Sequence, residues 1–236
     1  MKRFLRARRY GVFFPGTSRF SPPHRIRLGA REVTLSFPDE IGLRSDFINV
    51  ILDDEYGLHN MPFALERVLD VGANIGLFSI WCAHHFPNAT IHAYEPNPRI
   101  LPDTRHNLEG TGVTLFPFCL GKEAGFAKMI DPSESRRAQT VDHADGNIRI
   151  ITLHEAVQRM GGAVDLLKLD AEGAEWALFE NKQGFEHVRL IRMEYHLAGA
   201  RTHADFISAV KSLGFRVDRL VSKASVGIAW LSRQPA

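Results

Sequence analysis

The front of the chain alternates apolar and polar positions in two short runs, residues 26–28 and 33–37, on either side of Gly29. Alternation with a period of two around a glycine predicts two strands joined by a tight turn. A short helix is predicted to follow and to end at Gly57. Residues 24–60 are thus expected to be a small strand and helix extension. Residues 1–23 contain three prolines and are predicted to form an irregular arm.

From Arg67 onward, short buried-type strands alternate with apolar helices, a pattern typical of a parallel sheet with crossover helices. Only a short turn separates the last two strand runs, so they must pair antiparallel. Residues 61–236 are therefore predicted to form an α/β domain with a doubly wound, Rossmann-like sheet. Residues 121–146 are polar and turn-rich, and their structure is left open. The predicted strands are residues 68–71, 90–94, 113–118, 148–151, 164–170, 189–195, 215–220 and 226–231.

Composition narrows the class of protein. Of 236 residues, 44% are hydrophobic, which is enough to fill a core and to exclude wholesale disorder. No apolar run approaches the roughly 20 residues that span a bilayer, so no membrane span is expected. The 29 Lys and Arg residues nearly balance the 27 Asp and Glu residues, so nucleic acid is not the expected partner. Two distant cysteines, Cys82 and Cys119, favour a reducing, cytoplasmic location.

The first nine residues are strongly basic. The apolar residues that follow are too few for the hydrophobic region of a signal peptide. We expect this stretch to be a solvated arm. Contact with an anionic substrate, a lipid or an RNA is the alternative.

A glycine-rich turn between the first strand of the α/β domain and its helix is the main chemical signal. Gly72 permits a tight turn, and Gly76 lets the helix pack close to the sheet. Asn74 stands where a pyrophosphate-binding turn needs a glycine, and Asp70 ends the strand. These two features favour the aminoacyl tail of S-adenosylmethionine over a dinucleotide. A purely structural turn is the alternative.

Glu95 ends the second strand of this domain, 25 residues after Asp70. A carboxylate at this place is expected to accept hydrogen bonds from two ribose hydroxyls. Alternatively, it caps the helix that follows Pro98. The candidate cofactor-binding residues are therefore Asp70, Gly72, Ala73, Asn74, Gly76, Glu95, Pro96 and Asn97.

Charged residues at alternate positions end the most apolar strand. Lys168, Asp170 and Glu172 fall on one face, which would be costly to bury unless it opens on a site. Glu172 can alternatively cap the next helix. Glu194 and His196 similarly share one side of the following strand, and His196 is expected to titrate near neutrality and to act as a base. Its alternative is an ordinary surface histidine.

Four segments occur in order: VLDVGANIGLFS over residues 68–79, YEPN over 94–97, LLKLDAEGAE over 166–175 and MEYH over 193–196. Together they resemble FkbM-family methyltransferases over residues 41–231. The resemblance implies a class I fold of seven strands with the last antiparallel. It also implies methyl transfer from S-adenosylmethionine, usually to a hydroxyl of a sugar or a secondary metabolite. By position, 70–76 matches the family's cofactor loop, Glu95 the ribose clamp and 168–172 its KxDxEG signature.

We therefore expect an O-methyltransferase for a small hydroxylated substrate. Asp170 is the first candidate for the base or for orienting the acceptor, and His196 is the second. Lys168 is expected to tune Asp170 or to position the acceptor by hydrogen bonding. Glu172 and Glu194 are expected to line the substrate site. No metal is expected, because the sulfonium already makes the methyl group electrophilic. The alternative is a divalent ion bound by the carboxylates of Asp170, Glu172 and Glu194.

Three other functions remain open from the sequence: a nicotinamide oxidoreductase, a methyltransferase for a protein or RNA group, and a non-enzymatic adenosyl-binding protein. The sequence determines neither the methyl acceptor nor the oligomeric state.

Overall fold

The computed structural model describes residues 2–130, 139–143 and 145–234. Its α-helices are α1 (Lys2–Arg9), α2 (Ile41–Phe47), α3 (Leu77–His85), α4 (Leu101–Leu108), α5 (Leu153–Arg159), α6 (Glu175–Glu180) and α7 (His203–Ser212). Its strands are β1 (Arg25–Leu28), β2 (Arg31–Thr34), β3 (Arg67–Val71), β4 (Thr90–Tyr94), β5 (Thr114–Phe116), β6 (Phe118–Gly121), β7 (Gly125–Ile130), β8 (Gln139–Asp142), β9 (Ile148–Thr152), β10 (Val164–Leu169), β11 (Val188–His196), β12 (Phe215–Lys223) and β13 (Val226–Arg233).

A seven-stranded sheet forms the centre of the molecule, in the order β12-β13-β11-β10-β3-β4-β5. The pairs from β11 to β5 are parallel, and β13 runs antiparallel to both of its neighbours. The final hairpin thus places β13 inside the sheet and β12 at its edge. The predicted α/β class, with a doubly wound sheet of seven strands and an antiparallel last strand, is confirmed.

Side chains of the sheet alternate between two hydrophobic layers. On β10, Leu166 packs with α3 and the N-terminal segments, whereas Leu167 and Leu169 pack with α5, α6 and α7. Strands covered on both faces read as nearly continuous apolar runs, which explains why β10 is the most apolar strand. Lys168 interrupts this run on the same face as Leu166, one residue before the strand ends.

A second, four-stranded sheet corrects part of the sequence-based prediction. The predicted strand 113–118 divides at Pro117, which has no N–H to donate to a ladder. The first half, β5, joins the main sheet, and the second half, β6, pairs with β9 in a sheet of order β6-β9-β7-β8. The predicted strand 148–151 therefore lies outside the main sheet. Within the open stretch 121–146, residues 131–138 and 144 lie outside the described ranges.

The irregular arm predicted for residues 1–23 is wrong at its start, where α1 forms. Ala7 and Phe20 are fully buried, and the ring of Tyr10 meets Trp81 edge-on at 5.0 Å between centroids. Two arginines also bind α1 to the segment at residues 52–53. Arg3 Nε donates to Asp53 Oδ1 at 2.7 Å, and Arg6 Nη1 donates to the Leu52 carbonyl at 2.7 Å. Tertiary contacts thus stabilise an eight-residue helix that is too short to be stable on its own.

The extension over residues 24–60 packs on the same core. β1 and β2 form the predicted antiparallel hairpin, and α2 continues into a π-helical turn, Ile48–Leu52. Ile51 of this turn is fully buried beside α3. The division of the chain at residues 23 and 60 stays a prediction. No helix within the described ranges is long and apolar enough to cross a bilayer.

Candidate active site

A cavity of about 400 Å³ opens where β3, β4 and β10 end. Ligands of open α/β sheets bind at this edge, outside the carboxyl ends of the strands. The turns after the three strands form one wall, and α2 and the segment at residues 55–56 form another. Nine of the predicted site residues line the cavity: Gly72, Ala73, Asn74, Glu95, Pro96, Lys168, Asp170, Glu172 and Glu194.

Gly72 allows two strand ends to meet at the floor of this cavity. Its φ is +74°, and a Cβ at this position would lie 1.8 Å from the Asp170 carbonyl oxygen. The Asp170 N–H in turn donates to the Val71 carbonyl at 3.1 Å. A larger residue would push the turn after β3 away from the turn after β10. Gly76, which does not line the cavity, packs instead against Leu108 of α4.

Asp70 lies behind the turn and not on the cavity surface. It is fully buried, and its Oδ2 accepts from the hydroxyl of Ser79 on α3 at 2.6 Å. Its Oδ1 lies 3.3 Å from Lys168 Nζ. Asp70 therefore joins β3, α3 and β10 beneath the site.

Glu95 connects the two loops that surround it. Its Oε2 accepts from the Asn74 N–H and its Oε1 from the Asn97 N–H, both at 2.8 Å. Burial raises the pKa of Glu95 to about 7, against the lowering effect of these two bonds. Each carboxylate oxygen has a second lone pair, so the side chain can accept two further bonds from the cavity. Asn97 itself is buried outside the cavity.

Lys168 is a buried cation held by backbone and carboxylate oxygens. Its Nζ donates to the Gly72 carbonyl at 2.5 Å and lies 3.7 Å from Asp170 Oδ2. Burial lowers the pKa of Lys168, but the carboxylates of Asp70 and Asp170 outweigh this effect and raise it. The ammonium therefore stays charged and fixes both carboxylates.

Asp170 presents its carboxylate to the cavity with about a fifth of the side chain exposed, 22%. Its Oδ2 accepts from the hydroxyl of Tyr56 at 3.5 Å, whereas its Oδ1 has no hydrogen-bond partner. Burial, and then the charge of Asp170, raise the pKa of Tyr56 well above its usual value, so the phenol stays protonated. Tyr56 belongs to the extension, and its place beside Asp170 was not predicted from the sequence.

His196 lies behind the cavity among three carboxylates. Its Nδ1 is 3.3 Å from Glu175 Oε1, and its Nε2 is 3.6 Å from Glu172 and 4.0 Å from Glu194. The hydrogen bond with Glu175 raises the pKa of His196 to about 9, although burial opposes it. The expectation that His196 titrates near neutrality is therefore wrong. As an imidazolium, it holds Glu172 and Glu194, which line the cavity.

Glu175, one of the three carboxylates around His196, was not among the site residues predicted from the sequence. It is fully buried at the start of α6, and its Oε1 accepts from the N–H groups of Ala171 and Gly173 at 3.2 Å each. It thus caps the turn, which was the alternative role considered for Glu172. Glu172 has a φ of +48°, and this left-handed backbone directs the chain around the cavity rim. The position of Glu175, two residues after the KLDAEG run, was the available signal.

One wall of the cavity joins residues that are far apart in the chain. Trp230 of β13 donates its indole N–H to the Glu55 carbonyl at 2.9 Å. Gly57 has a φ of +70°, and a Cβ there would lie 2.4 Å from the Trp230 ring. The indole thus packs against the segment that carries Tyr56 and holds it by a hydrogen bond.

Among the described residues, no group of three or more His, Cys, Asp or Glu side chains is arranged to hold a metal ion.

The sheet order and the cavity at its carboxyl edge define a class I methyltransferase fold. Solved structures that share this fold include a precorrin methyltransferase and an O-methyltransferase family protein. Precorrin-6y C5,15-methyltransferase from Geobacter metallireducens GS-15 is 14% identical, with a TM-score of 0.51 over 85% of this chain and 94% of its own. An O-methyltransferase family protein from Burkholderia thailandensis is 12% identical, with a TM-score of 0.50 over 81% of this chain and 56% of its own.

The sequence narrows this class to one family. A family model for the methyltransferase FkbM domain matches residues 70–217, which is more than half of the chain. The protein belongs to the FkbM methyltransferase family, and the predicted membership is confirmed. Methyltransferase sdnD from Sordaria araneosa is 26% identical over 72% of this chain and 82% of its own length. Methyltransferase 1 from Beauveria bassiana is 26% identical over 46% of this chain, a match that spans 55% of that relative.

Proposed function

We propose that this methyltransferase uses S-adenosylmethionine and methylates a hydroxyl group of a small molecule, either a sugar or a secondary metabolite. The proposal rests on one observation: a residue suited to binding the cofactor and a candidate catalytic base line the same cavity. Glu95 offers acceptor lone pairs at one end of it, and the partly exposed carboxylate of Asp170 lines it at another.

The residues around Glu95 suit an adenosyl cofactor. Glu95 would accept hydrogen bonds from the two ribose hydroxyls. The turn at residues 72–74 would hold the aminoacyl tail, and Pro96 would lie beside the adenine ring. The close approach of this turn to the Asp170 backbone leaves no room for a Cβ at Gly72, which accounts for the glycine. Asp70, Gly76 and Asn97 would support this half of the site from behind, since none of them lines the cavity.

Asp170 is the proposed base. When bound, the cofactor supplies an electrophilic methyl group, and the acceptor hydroxyl must lose its proton as it attacks. The Asp170 carboxylate lines the cavity and can take that proton, while Lys168 and Tyr56 hold its Oδ2 in place. Because this carboxylate is fixed on both sides, it can orient the hydroxyl toward the methyl group before reaction. The proposal includes no metal.

A small acceptor fits the size and the charge of the site. A cavity of about 400 Å³ lies in the range of small-molecule sites. Glu172 and Glu194, positioned by His196, offer acceptors for other hydroxyls of a polyhydroxylated ligand. His196 would act on the substrate only through these two carboxylates, as a positioning residue.

The proposal is tested with three proteins: wild type, Asp170→Asn and, as a matched control, Asp39→Asn at an exposed position. Binding of S-adenosylhomocysteine and of NAD is measured by calorimetry. Methyl transfer is measured as S-adenosylhomocysteine release with panels of sugars, phenolic metabolites, peptides and RNA. We expect all three proteins to bind S-adenosylhomocysteine and not NAD.

With a hydroxylated small acceptor, Asp170→Asn should be about 10²- to 10⁴-fold slower than wild type, and Asp39→Asn should equal wild type. Full activity of Asp170→Asn would refute its role as the base. Release only with peptide or RNA would refute the small acceptor, and binding of NAD alone would refute the cofactor.

A further inference from the structure

Two histidine side chains face each other outside the catalytic cavity. His59 lies in the short 3₁₀ turn Leu58–Asn60, and His85 is the last residue of α3. Their Nε2 atoms are 3.3 Å apart, and their ring centroids are 4.4 Å apart. Both side chains border a shallow pocket with Met61 and Phe63 and are reached from solvent; that of His59 is 29% exposed.

The partners of each ring fix where its proton lies. His59 Nδ1 is 2.9 Å from Oδ2 of Asp54, a buried carboxylate that also accepts from the Trp81 indole at 3.3 Å. His85 Nδ1 is 2.9 Å from the Trp81 carbonyl. A carboxylate and a carbonyl only accept, so both Nδ1 atoms must be the donors. In the neutral rings, both Nε2 atoms are therefore unprotonated and each carries a lone pair.

Two unprotonated nitrogens this close repel each other, and a cation bound to both would relieve that repulsion. We propose that His59 and His85 form a binding site for a divalent transition-metal ion, such as Zn²⁺ or Cu²⁺, through their two Nε2 atoms. Nitrogen ligands about 2.0–2.1 Å from a tetrahedral zinc ion lie about 3.3–3.4 Å apart, which matches the observed separation.

The surroundings resemble those of histidine metal ligands. Such ligands commonly donate their second ring N–H to a carboxylate or a backbone carbonyl, as His59 does to Asp54 and His85 to Trp81. Two protein ligands leave the remaining positions of the ion to water, so the site is an open one. His59 lies three residues after Tyr56, which lines the catalytic cavity. An ion bound by His59 and His85 would therefore link this segment to α3.

A proton is the competing cation, since one N–H···N bond would also relieve the repulsion. Zinc titration separates the two cations, because a pair that only shares a proton binds no zinc.

The test uses the full chain without a histidine tag, at pH 7.5, titrated with Zn²⁺, Cu²⁺ and, as a hard-cation control, Mg²⁺. The variants are His59→Gln, His85→Gln and His106→Gln, the last a matched control at an exposed position on α4. Retained S-adenosylhomocysteine binding and an unchanged circular dichroism spectrum verify folding of each variant.

We expect wild type and His106→Gln to bind one Zn²⁺, to bind Cu²⁺ more tightly and to ignore Mg²⁺. Each of the other two variants should bind zinc at least about tenfold more weakly. Wild-type protein that binds no zinc at millimolar concentration would show that the pair shares only a proton. Unchanged zinc affinity in both His59→Gln and His85→Gln would equally overturn the proposal.

Discussion

Replacing Glu95 by Gln tests the ribose clamp at the point where the structure is most specific. The carboxylate accepts one backbone N–H on each oxygen, from Asn74 and from Asn97. Glu95→Gln keeps the shape of the side chain but turns one oxygen into an NH₂ group, which cannot accept. One backbone N–H then faces another donor, and one ribose hydroxyl loses its acceptor.

The expected size of the effect follows from these bonds. A hydrogen bond to a charged group contributes about 1.5–3 kcal/mol, so S-adenosylhomocysteine should bind about 10- to 150-fold more weakly. Wild-type binding should also depend on pH, because burial raises the pKa of Glu95 to about 7. If the ionised form binds the ribose, affinity should be up to about tenfold lower at pH 6 than at pH 8. The Gln variant should lose this dependence.

Calorimetric titration at pH 6, 7 and 8 measures both quantities. Glu109→Gln, at an exposed position on the loop after α4, is the matched control and should behave as wild type at each pH. Wild-type affinity and an unchanged pH slope in Glu95→Gln would refute the assignment of Glu95 to the ribose.

Two further predictions concern the surroundings of the cavity. Gly72→Ala should lower the free energy of unfolding by about 1–3 kcal/mol more than Gly199→Ala, because both have positive φ but only the Cβ at Gly72 would meet backbone. Equal losses in urea denaturation would contradict this contact. The raised pKa of His196, about 9, means that its ion pairs stabilise the fold fully below about pH 6.5 and are lost as pH rises through 9. Wild-type stability should therefore fall over this range, by at most about 3 kcal/mol. His196→Gln should flatten the decline and His106→Gln should not; an equal decline in all three would count against the charged pair.

The strands of the main sheet were predictable because their burial on both faces leaves a strong apolar signal. The glycine turn, Glu95 and Asp170 follow from the same pattern, since strand ends converge at one edge of a parallel sheet. Their placement in one cavity was therefore accessible to sequence reasoning. Their roles with cofactor and substrate stay proposals.

Other features depend on contacts that no local pattern encodes. α1 is stabilised by Ala7 and Phe20 in a core built mostly by later residues, and five of its own eight residues are Lys or Arg. The ionisation of His196 depends on Glu175, a residue that reads locally as an ordinary acidic start of a helix. The pairing of Tyr56 with Asp170 joins positions 114 residues apart, and nothing near either one indicates the other.

The contact between Trp230 and the segment at Glu55 and Gly57 has a consequence for the order of events during synthesis. Its partners are separated by 175 residues. At about 5–20 residues per second, a ribosome needs roughly 9–35 s to make the intervening chain. Throughout this interval the cavity wall that carries Tyr56 lacks the indole on which it rests. The nascent chain can thus complete the turns around Glu95 well before it completes the wall beside Asp170.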